Sequence, residues 1–310
     1  TAVGYDAAKV NSTGASLTAV GSYALDANTT GNYNTAVGSS ALGANTTASN
    51  NTALGYSALY VNSTGSYNTA VGHEALTANT TGEQNVAMGR GALIANTTAS
   101  YSVAVGDSAL TSATTGGSNT AIGSAAGLSI STGSNLQAFG KDAARSGSPG
   151  GAATTGSNAV YIADENITAA YIQVDWTISS DERDKTDFTA LDLGLDFVKD
   201  LAPVTYKWDK RSNYINKNDP AVDLDKVVAD GTHKEDWLDI GFKAQEVEAL
   251  EKAAGYKMSD KTNLTTNLTH DGKQYGIQYN KFVPILVKAV QELSDQVSDL
   301  KDQLDKCNCE

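Results

Sequence analysis

Residues 18–34, TAVGSYALDANTTGNYN, are followed directly by a near copy of themselves, residues 35–51, TAVGSSALGANTTASNN. The start of this unit, Thr-Ala-Val-Gly or a close variant, occurs nine times at a constant spacing of 17 residues, at positions 1, 18, 35, 52, 69, 86, 103, 120 and 137. Its second residue is always Ala, its third a larger apolar residue and its fourth Gly. A strict period without insertions predicts coils that stack on copies of themselves.

Each unit is typical of a short β-coil. An amphipathic helix is the competing interpretation, but the Gly in every unit and the recurring Asn-Thr-Thr turn signal argue against it. Because neighbouring residues of a strand face opposite sides, the Ala and Val positions cannot both face one core. We expect one of them to line the inside of the coil and the small Ala to face a closely approaching second surface. The Gly marks a bend, and Asn-Thr-Thr-Gly supplies the return turn.

The apolar content of a coil is small. Most units offer only an Ala-Val pair and an Ala-Leu pair, which is too little for a solitary solenoid, so we expect further burial against sister chains. At ~4.8 Å per stacked strand, nine coils make a rod on the order of 40 Å long. Four turn asparagines, Asn11, Asn28, Asn62 and Asn79, also head Asn-x-Thr sequons. Turn chemistry explains them, with glycosylation as the alternative.

Charge divides the chain into two unlike parts. Residues 1–179 hold 4 Lys/Arg and 9 Asp/Glu, whereas residues 180–310 hold 18 and 26, and the net charge is −13. An acidic surface repels phosphate backbones, so nucleic-acid binding is not expected. No apolar run approaches the ~18–20 residues that span a bilayer, so we expect no membrane insertion. Thr1 stands in mid-pattern, and we expect it to be the start of a fragment or of a trimmed product.

Between the two parts the pattern becomes irregular. Residues 141–159 are rich in Gly, Ser and Ala and predict a linker or collar. Alternating apolar residues then predict a β stem with strands over about 159–163 and 169–178. Further on, the sequence predicts a helix interrupted at Pro203, a strand in VTYKWD, and a helix over about 243–254 that Gly255 closes.

The C-terminal region, about 284–308, predicts a parallel coiled coil. Apolar residues are spaced by 4 and 3 in alternation, as in a heptad repeat that drives self-association. We name these residues the heptad seam: Leu286, Val290, Leu293, Val297, Leu300, Leu304 and Cys307. A surface amphipathic helix is the alternative, and Val with Leu in the seam does not select three strands over two. Cys307 and Cys309 suit a disulfide between chains better than one within a chain, although two free thiols remain an equal alternative.

Four motifs carry a family resemblance. They are SSDERDK (179–185), LAPVTYKW (201–208), DIGFKAQEVE (239–248) and QYNKFVPILVKAVQEL (278–293). In this order, ahead of a coiled coil, they resemble the C-terminal intramolecular chaperone auto-processing domain of phage tailspikes and tail fibres, such as endosialidases. The repeats, in turn, resemble the heads of trimeric bacterial adhesins and of many phage tail fibres, which form left-handed parallel β-rolls of three chains.

The resemblance implies a mainly β fold of trimeric β-roll repeats over 1–140, a linker and stem over 141–179, and an α+β chaperone domain over 180–310. It implies that this domain assembles a homotrimer and then cuts the bond between Ser179 and Ser180. By the same comparison Ser180 is the nucleophile and Lys185 its base, with Asp181 and Arg183 as supporting residues. Asp184 departs from the family pattern, which has an aliphatic residue there, and a carboxylate beside Lys185 would oppose the neutral amine that a base requires.

Other interpretations of this segment and of the chain remain open. Ser179-x-x-Glu182 also fits the capping box of a helix. A bacterial trimeric surface adhesin without self-cleavage is the alternative to a virion tail fibre that is assembled in the host cytoplasm. An enzyme acting on external glycans ranks last, because the repeats hold no clustered pair of carboxylates. No cofactor or metal is expected, since His73, His233 and His270 lack ligand spacing. The expected partners are sister chains and a host surface receptor, either a glycan or an outer-membrane component.

Overall fold

The computed structural model describes residues 1–307 apart from 146, 147, 149, 163, 165, 168, 169, 172, 174–177, 216–222 and 270. The chain forms two compact units. The first comprises residues 1–168 with 210–229 and 270–273, and the second comprises 169–209, 230–269 and 274–310. No helix in the described part of the chain is both long and apolar enough to cross a membrane. Most of the stem strand expected over 169–178 lies outside the described residues.

The first unit is a parallel β-solenoid. Ten short strands stack in chain order in one sheet, each paired in parallel with the next. They are β1 (Ala2–Val3), β2 (Thr18–Val20), β3 (Thr35–Val37), β4 (Thr52–Leu54), β5 (Thr69–Val71), β6 (Val86–Met88), β7 (Val103–Val105), β8 (Thr120–Ile122), β9 (Leu136–Phe139) and β10 (Ala159–Ile162). The pairing advances by one 17-residue unit per strand as far as β9, and the β-coil architecture is thereby confirmed. The final coil, from β9 to β10, is longer, because Ala159 pairs with Leu136.

The inside of the solenoid is lined by the Ala positions of the strands, not by the Val positions. The strand alanines from Ala19 to Ala138 are completely buried, together with the Ala-Leu pairs such as Ala24 and Leu25. The third strand residue points outward and is partly or largely exposed, for example Leu54 and Met88. The expectation that Ala faces a second surface was therefore wrong. The coil is so narrow that only a methyl group fits on the strand side once the leucine has filled the interior.

Glycine after each strand is required by the close approach of adjacent coils. Gly89 has a φ of +138°, and a Cβ placed on it would lie 2.3 Å from the carbonyl oxygen of Gly106. An L side chain would meet both a strained backbone and a clash with fixed main chain at this point. The same contact recurs from coil to coil, which explains why the fourth position of the unit never varies.

The turn asparagines form a buried ladder along the solenoid. In each step the Nδ2 of one Asn donates to the Oδ1 of the Asn one coil earlier, at 2.8–3.0 Å. The same Nδ2 donates to the carbonyl three residues further on, which closes the turn. The ladder residues are Asn11, Asn28, Asn45, Asn62, Asn79 and Asn96. Because Asn28, Asn62 and Asn79 are fully buried with engaged amides, turn chemistry accounts for them better than glycosylation.

The ladder ends at Asn96, because position 113 is a buried Ala. The Oδ1 of Asn96 is the one buried side-chain nitrogen or oxygen atom of the described residues that has no hydrogen-bond partner. The last rung therefore carries an unsatisfied acceptor, whereas interior rungs are satisfied on both sides.

Substitutions in the ladder should have unequal costs. Asn45→Ala removes three hydrogen bonds and leaves Asn28 Oδ1 without its donor. We expect it to lower the free energy of unfolding by about 1–3 kcal/mol. Asn96→Ala is the matched control, because it removes two hydrogen bonds and moves the unsatisfied acceptor from Asn96 to Asn79. Urea unfolding followed by circular dichroism measures both, and equal losses of stability would contradict the role given to the ladder.

The second unit is a small α/β domain. Strand β11 (Val204–Tyr206) pairs antiparallel with β12 (Asp239–Gly241), and β13 (Thr266–Leu268) pairs antiparallel with β14 (Tyr275–Ile277). Its helices are α1 (Leu195–Asp200), α2 (Ala244–Ala253) and the 26-residue α3 (Phe282–Cys307). The core is small, with Leu193, Phe197, Val247, Phe282 and Ile285 at its centre.

The first half of α3 has a docked face. Phe282, Ile285 and Ala289 are buried. One turn later, Oε2 of Glu292 accepts a hydrogen bond from the backbone N–H of Leu195, at 2.7 Å. Helix α1 begins after Gly194, which has no side chain to cap it. A carboxylate from α3 therefore takes the place of the N-cap and favourably meets the positive end of the α1 dipole.

This interhelical cap predicts a pH dependence. The Leu195 N–H, with help from Lys288 and against a smaller effect of burial, holds the pKa of Glu292 below its ordinary value. Since the folded-state pKa is lowered, the cap stabilises the domain above the ordinary value and is lost as pH falls through the lowered one. We expect Glu292→Ala to lower the thermal midpoint at neutral pH and to flatten its decline on acidification. Asp295→Ala, which removes an exposed carboxylate on the same helix, is the control; identical pH profiles for the two variants would refute the cap.

Candidate functional site

The Ser-Asp-x-Arg-x-Lys segment folds into a single 3-10 turn, Glu182–Asp184. The side chain of Asp181 is the cap, accepting a hydrogen bond from the backbone N–H of Arg183 at 2.9 Å. The backbone N–H of Lys185 closes the turn by donating to the carbonyl of Glu182 at 3.1 Å. Ser179 therefore does not form the capping box that was the alternative interpretation, because Asp181 occupies the cap.

The turn brings Ser180 and Lys185 together. Nζ of Lys185 lies 2.6 Å from Oγ of Ser180 and 3.2 Å from the Ser180 carbonyl oxygen. This is hydrogen-bond distance for a nucleophile and its base. Nζ of Lys185 donates to the Ser180 hydroxyl, and for the reaction the hydroxyl proton would have to pass to the amine across the same contact.

Asp181 and Arg183 form a pair beside this contact. Nε and Nη2 of Arg183 both reach the Asp181 carboxylate, the latter at 2.6 Å. The hydrogen bonds from the Arg183 side chain and then from its backbone N–H hold the pKa of Asp181 below its ordinary value, and the same pairing raises the pKa of Arg183. With its carboxylate occupied by Arg183, Asp181 does not compete with Ser180 for Lys185.

Asp184 lies in the turn but is not paired with the candidate base. Within the described part of the chain, no ion pair joins Asp184 to Lys185, and both contacts of the Lys185 amine are with Ser180. The turn thus separates the carboxylate of Asp184 from the amine next to it in sequence.

The arrangement can support one defined reaction. Oγ of Ser180 attacks the carbonyl carbon of Ser179, the C–N bond between the two residues breaks, and an ester forms. The hydroxyl proton passes through Lys185 to the departing amino group, and water then opens the ester to give a carboxylate at Ser179 and a free hydroxyl at Ser180. A neutral lysine is required, which burial favours, yet residues 178–190 are all exposed in the single chain.

The heptad seam lies on the undocked face of α3. Its apolar residues from Leu286 to Leu304 are between 42% and 66% exposed, and Cys307 is a free, exposed thiol. Val283 and Val287 are also exposed and extend the apolar stripe towards the start of the helix. Exposed apolar side chains at this spacing and in this number are typical of a helix that packs against copies of itself. Cys309 lies outside the described residues.

Two features of the domain were missed by the sequence analysis. The first is the docked face of α3, for which the spacing of Phe282, Ile285 and Ala289 was an available signal. The second is an exposed apolar patch around β12, made by Trp237, Leu238 and Ile240. Its signal is weak, because alternation along so short a strand does not reveal which face is covered.

Comparison with known proteins agrees with the geometry. Residues 180–256 match the family model described as chaperone of endosialidase. A search of curated proteins and a search of solved structures each found no match. The chain thus combines a β-solenoid of 17-residue coils with a small α/β region that matches the chaperone family and a long C-terminal helix. The architecture fits an endosialidase-type tail fibre, and the family resemblance is confirmed.

The family match supports a phage-type chaperone role in trimer assembly, with the chain itself as partner. The matched segment begins at Ser180, which is the residue on the C-terminal side of the bond that the family resemblance implies is cut. The catalytic roles of Ser180 and Lys185 and the roles of Asp181 and Arg183 stay predictions.

Proposed function

We propose that this chain is a structural fibre of a phage virion, a tail fibre that recognises the host surface. Its C-terminal domain assembles three chains in the host cytoplasm and then releases itself by cutting between Ser179 and Ser180. The solenoid remains in the virion, where it has the structural and binding roles. The C-terminal domain acts only during assembly.

The contact between Lys185 Nζ and Ser180 Oγ, at 2.6 Å, is the observation that carries this proposal. It lies at the first residue of the segment that matches the chaperone family. A lysine five residues from a serine on an exposed loop would ordinarily sample many rotamers. Here the 3-10 turn, capped by Asp181, points both side chains at one another.

Three exposed apolar surfaces support assembly into a trimer. They are the heptad seam of α3, the patch around β12, and the outward third residues of the solenoid strands. Apolar surface of this extent on a single chain is typical of an interface. Each surface would be removed from water if three copies packed in parallel, which would add the burial that each narrow coil lacks.

Assembly also supplies a reason for delayed cleavage. Ser180 and Lys185 are solvated in the single chain, where the ammonium form of a lysine is favoured. Packing of sister chains around the turn would exclude water and favour the neutral amine. Cleavage would then follow correct assembly, and one turnover for each chain suffices.

The test is to express the whole chain and to follow its mass and its oligomeric state. We expect light scattering to give three times the chain mass of 32.1 kDa before cleavage. Denaturing gels should then show two fragments, the smaller one beginning at Ser180. A trimer that stays uncut would favour the alternative, a bacterial surface adhesin without self-cleavage, and a stable monomer would refute the assembly role.

A further inference from the structure

One column of the solenoid surface alternates tyrosine with amide residues. We call it the tyrosine column, made of Tyr33, Asn50, Tyr67, Gln84 and Tyr101. The backbone N–H of each donates to a carbonyl of the preceding coil at 3.0–3.2 Å, which places all five in one line along the axis. Ser16 and Ser118 hold the equivalent position at either end.

The side chains of this column face solvent and have no hydrogen-bond partner among the described residues. The three tyrosines are 60–65% exposed, and Asn50 and Gln84 are also exposed. In the part of the chain that the structure describes, the three tyrosine rings stack on no other ring, unlike Tyr56, which stacks on His73. The column is therefore a row of aromatic faces with free amide groups between them.

The backbone conformation at this position is unfavourable for tyrosine. All five residues have a φ of +56° to +63°. This left-handed conformation is cheap for Gly and Asn and costs an ordinary L residue roughly 1–2 kcal/mol. Asn occupies the position in some coils, at Asn50 and Asn135. The same conformation recurs in the solenoid at Leu25, Ser40 and Glu74, so it tolerates many residue types and does not itself select tyrosine. Tyrosine in three alternate coils therefore points to a use for its side chain.

The spacing of the tyrosines points to a periodic ligand. Successive tyrosines are two coils apart, which is about 9.5 Å at the ~4.8 Å spacing of stacked strands. The surface of a packed sister chain would repeat with every coil. Contact with it gives no reason for tyrosine to occur only in alternate coils. In an extended β-1,4-linked polysaccharide successive rings are flipped, so the same face returns at every second sugar, and two such rings span a similar length.

We propose that the tyrosine column binds an extended, neutral β-1,4-linked polysaccharide. Each tyrosine would stack on the apolar face of every second sugar ring, and the amides of Asn50 and Gln84 would hydrogen-bond the hydroxyl groups of the sugars between them. The five column residues carry no charge, which favours an uncharged ligand over a sulfated or phosphorylated one. This inference rests on the proposed host-recognition function and names the receptor class.

The experiment titrates the full chain with chitohexaose and cellohexaose, two β-1,4-linked hexasaccharides, and follows tyrosine fluorescence and calorimetric heat. The α-1,4-linked maltohexaose, which coils, is the ligand control. We expect binding of at least one β-linked probe and none of maltohexaose. Tyr67→Ala should weaken the binding roughly fivefold. Tyr56→Ala, an exposed tyrosine outside the column, should leave it unchanged.

A sharper variant exchanges two neighbours, Asn50→Tyr with Tyr67→Asn. It keeps the number of tyrosines and puts at each position a residue type that the column already accommodates, yet it destroys the two-coil spacing. We expect it to weaken binding at least as much as Tyr67→Ala. Unchanged affinity in the exchanged variant would overturn the proposal, as would failure of both β-linked probes to bind the wild type.

Light scattering on the same samples separates this proposal from the assembly function. If the column is an interface between chains, the exchanged variant will lose its trimeric mass, and the polysaccharide assignment is wrong. If the trimer persists while no probe binds, the assembly function stands and only the assignment of the receptor falls.

Discussion

Replacing Ser180 with alanine is expected to leave every chain at full length while the wild type is cut. Without Oγ no ester can form at the Ser179 carbonyl, so the loss should be complete. Lys185→Ala removes the base that contacts Oγ at 2.6 Å and keeps the nucleophile. We expect it to slow cleavage by about 10²–10⁴-fold, the typical contribution of a positioned base.

Controls in the same segment separate chemistry from folding. Ser179→Ala removes the hydroxyl on the other side of the bond and should be cut normally. Lys185→Arg keeps the charge but cannot supply a neutral amine, so it should behave like Lys185→Ala. Asp184→Val should be cut at least as fast as the wild type. Mass spectrometry of timed samples measures all five variants, and cleavage of Ser180→Ala at the same bond would eliminate the proposed nucleophile.

Trimer formation should fail when a carboxylate is placed on the heptad seam. Leu293 and Leu300 are exposed in the single chain and take no part in the core of the domain. In the doubly substituted chain, Leu293→Asp with Leu300→Asp, packing would bury unpaired carboxylates at a cost of several kcal/mol for each ion. We therefore expect a monomer by light scattering with unchanged helix content by circular dichroism.

The matched control for the seam is Ser294→Asp, which adds a carboxylate to an exposed position of α3 beside the seam. It should remain trimeric. If assembly desolvates Lys185, the monomeric seam variant will also remain uncut although its Ser180 and Lys185 are intact. Efficient cleavage by a monomer would show that the site needs no sister chain and would break the proposed coupling.

The repeat could be predicted from sequence because its signal is redundant. Nine copies of a Gly at a fixed position leave one stacking register, and the parallel pairing of β1 to β9 follows from it. The direction in which the strand side chains point was harder to predict from the sequence. Ala19 and Val20 are both apolar, and only the width of the coil, which depends on where Leu25 packs, decides that Ala19 faces inward.

The residues of the candidate site could be predicted from the sequence, but their geometry could not. The motif named Ser180 and Lys185, but spacing alone allowed a helix that begins at Ser179. The outcome depended on which side chain capped the turn, and Asp181 took that position by accepting a hydrogen bond from the backbone N–H of Arg183. The cap of α1 by Glu292 joins residues 97 positions apart, and no local pattern reports such a contact.

The fixed offset between coils has a genetic consequence. Every coil up to β9 offers the next one the same row of carbonyl groups, so recombination between repeats joins compatible ends whenever whole units are gained or lost. Descendants of this gene can thus lengthen or shorten the solenoid by whole coils without any change in the C-terminal domain. The last coil, with its 23-residue offset, marks where a lineage could also accept an irregular insertion without disturbing the coils before it.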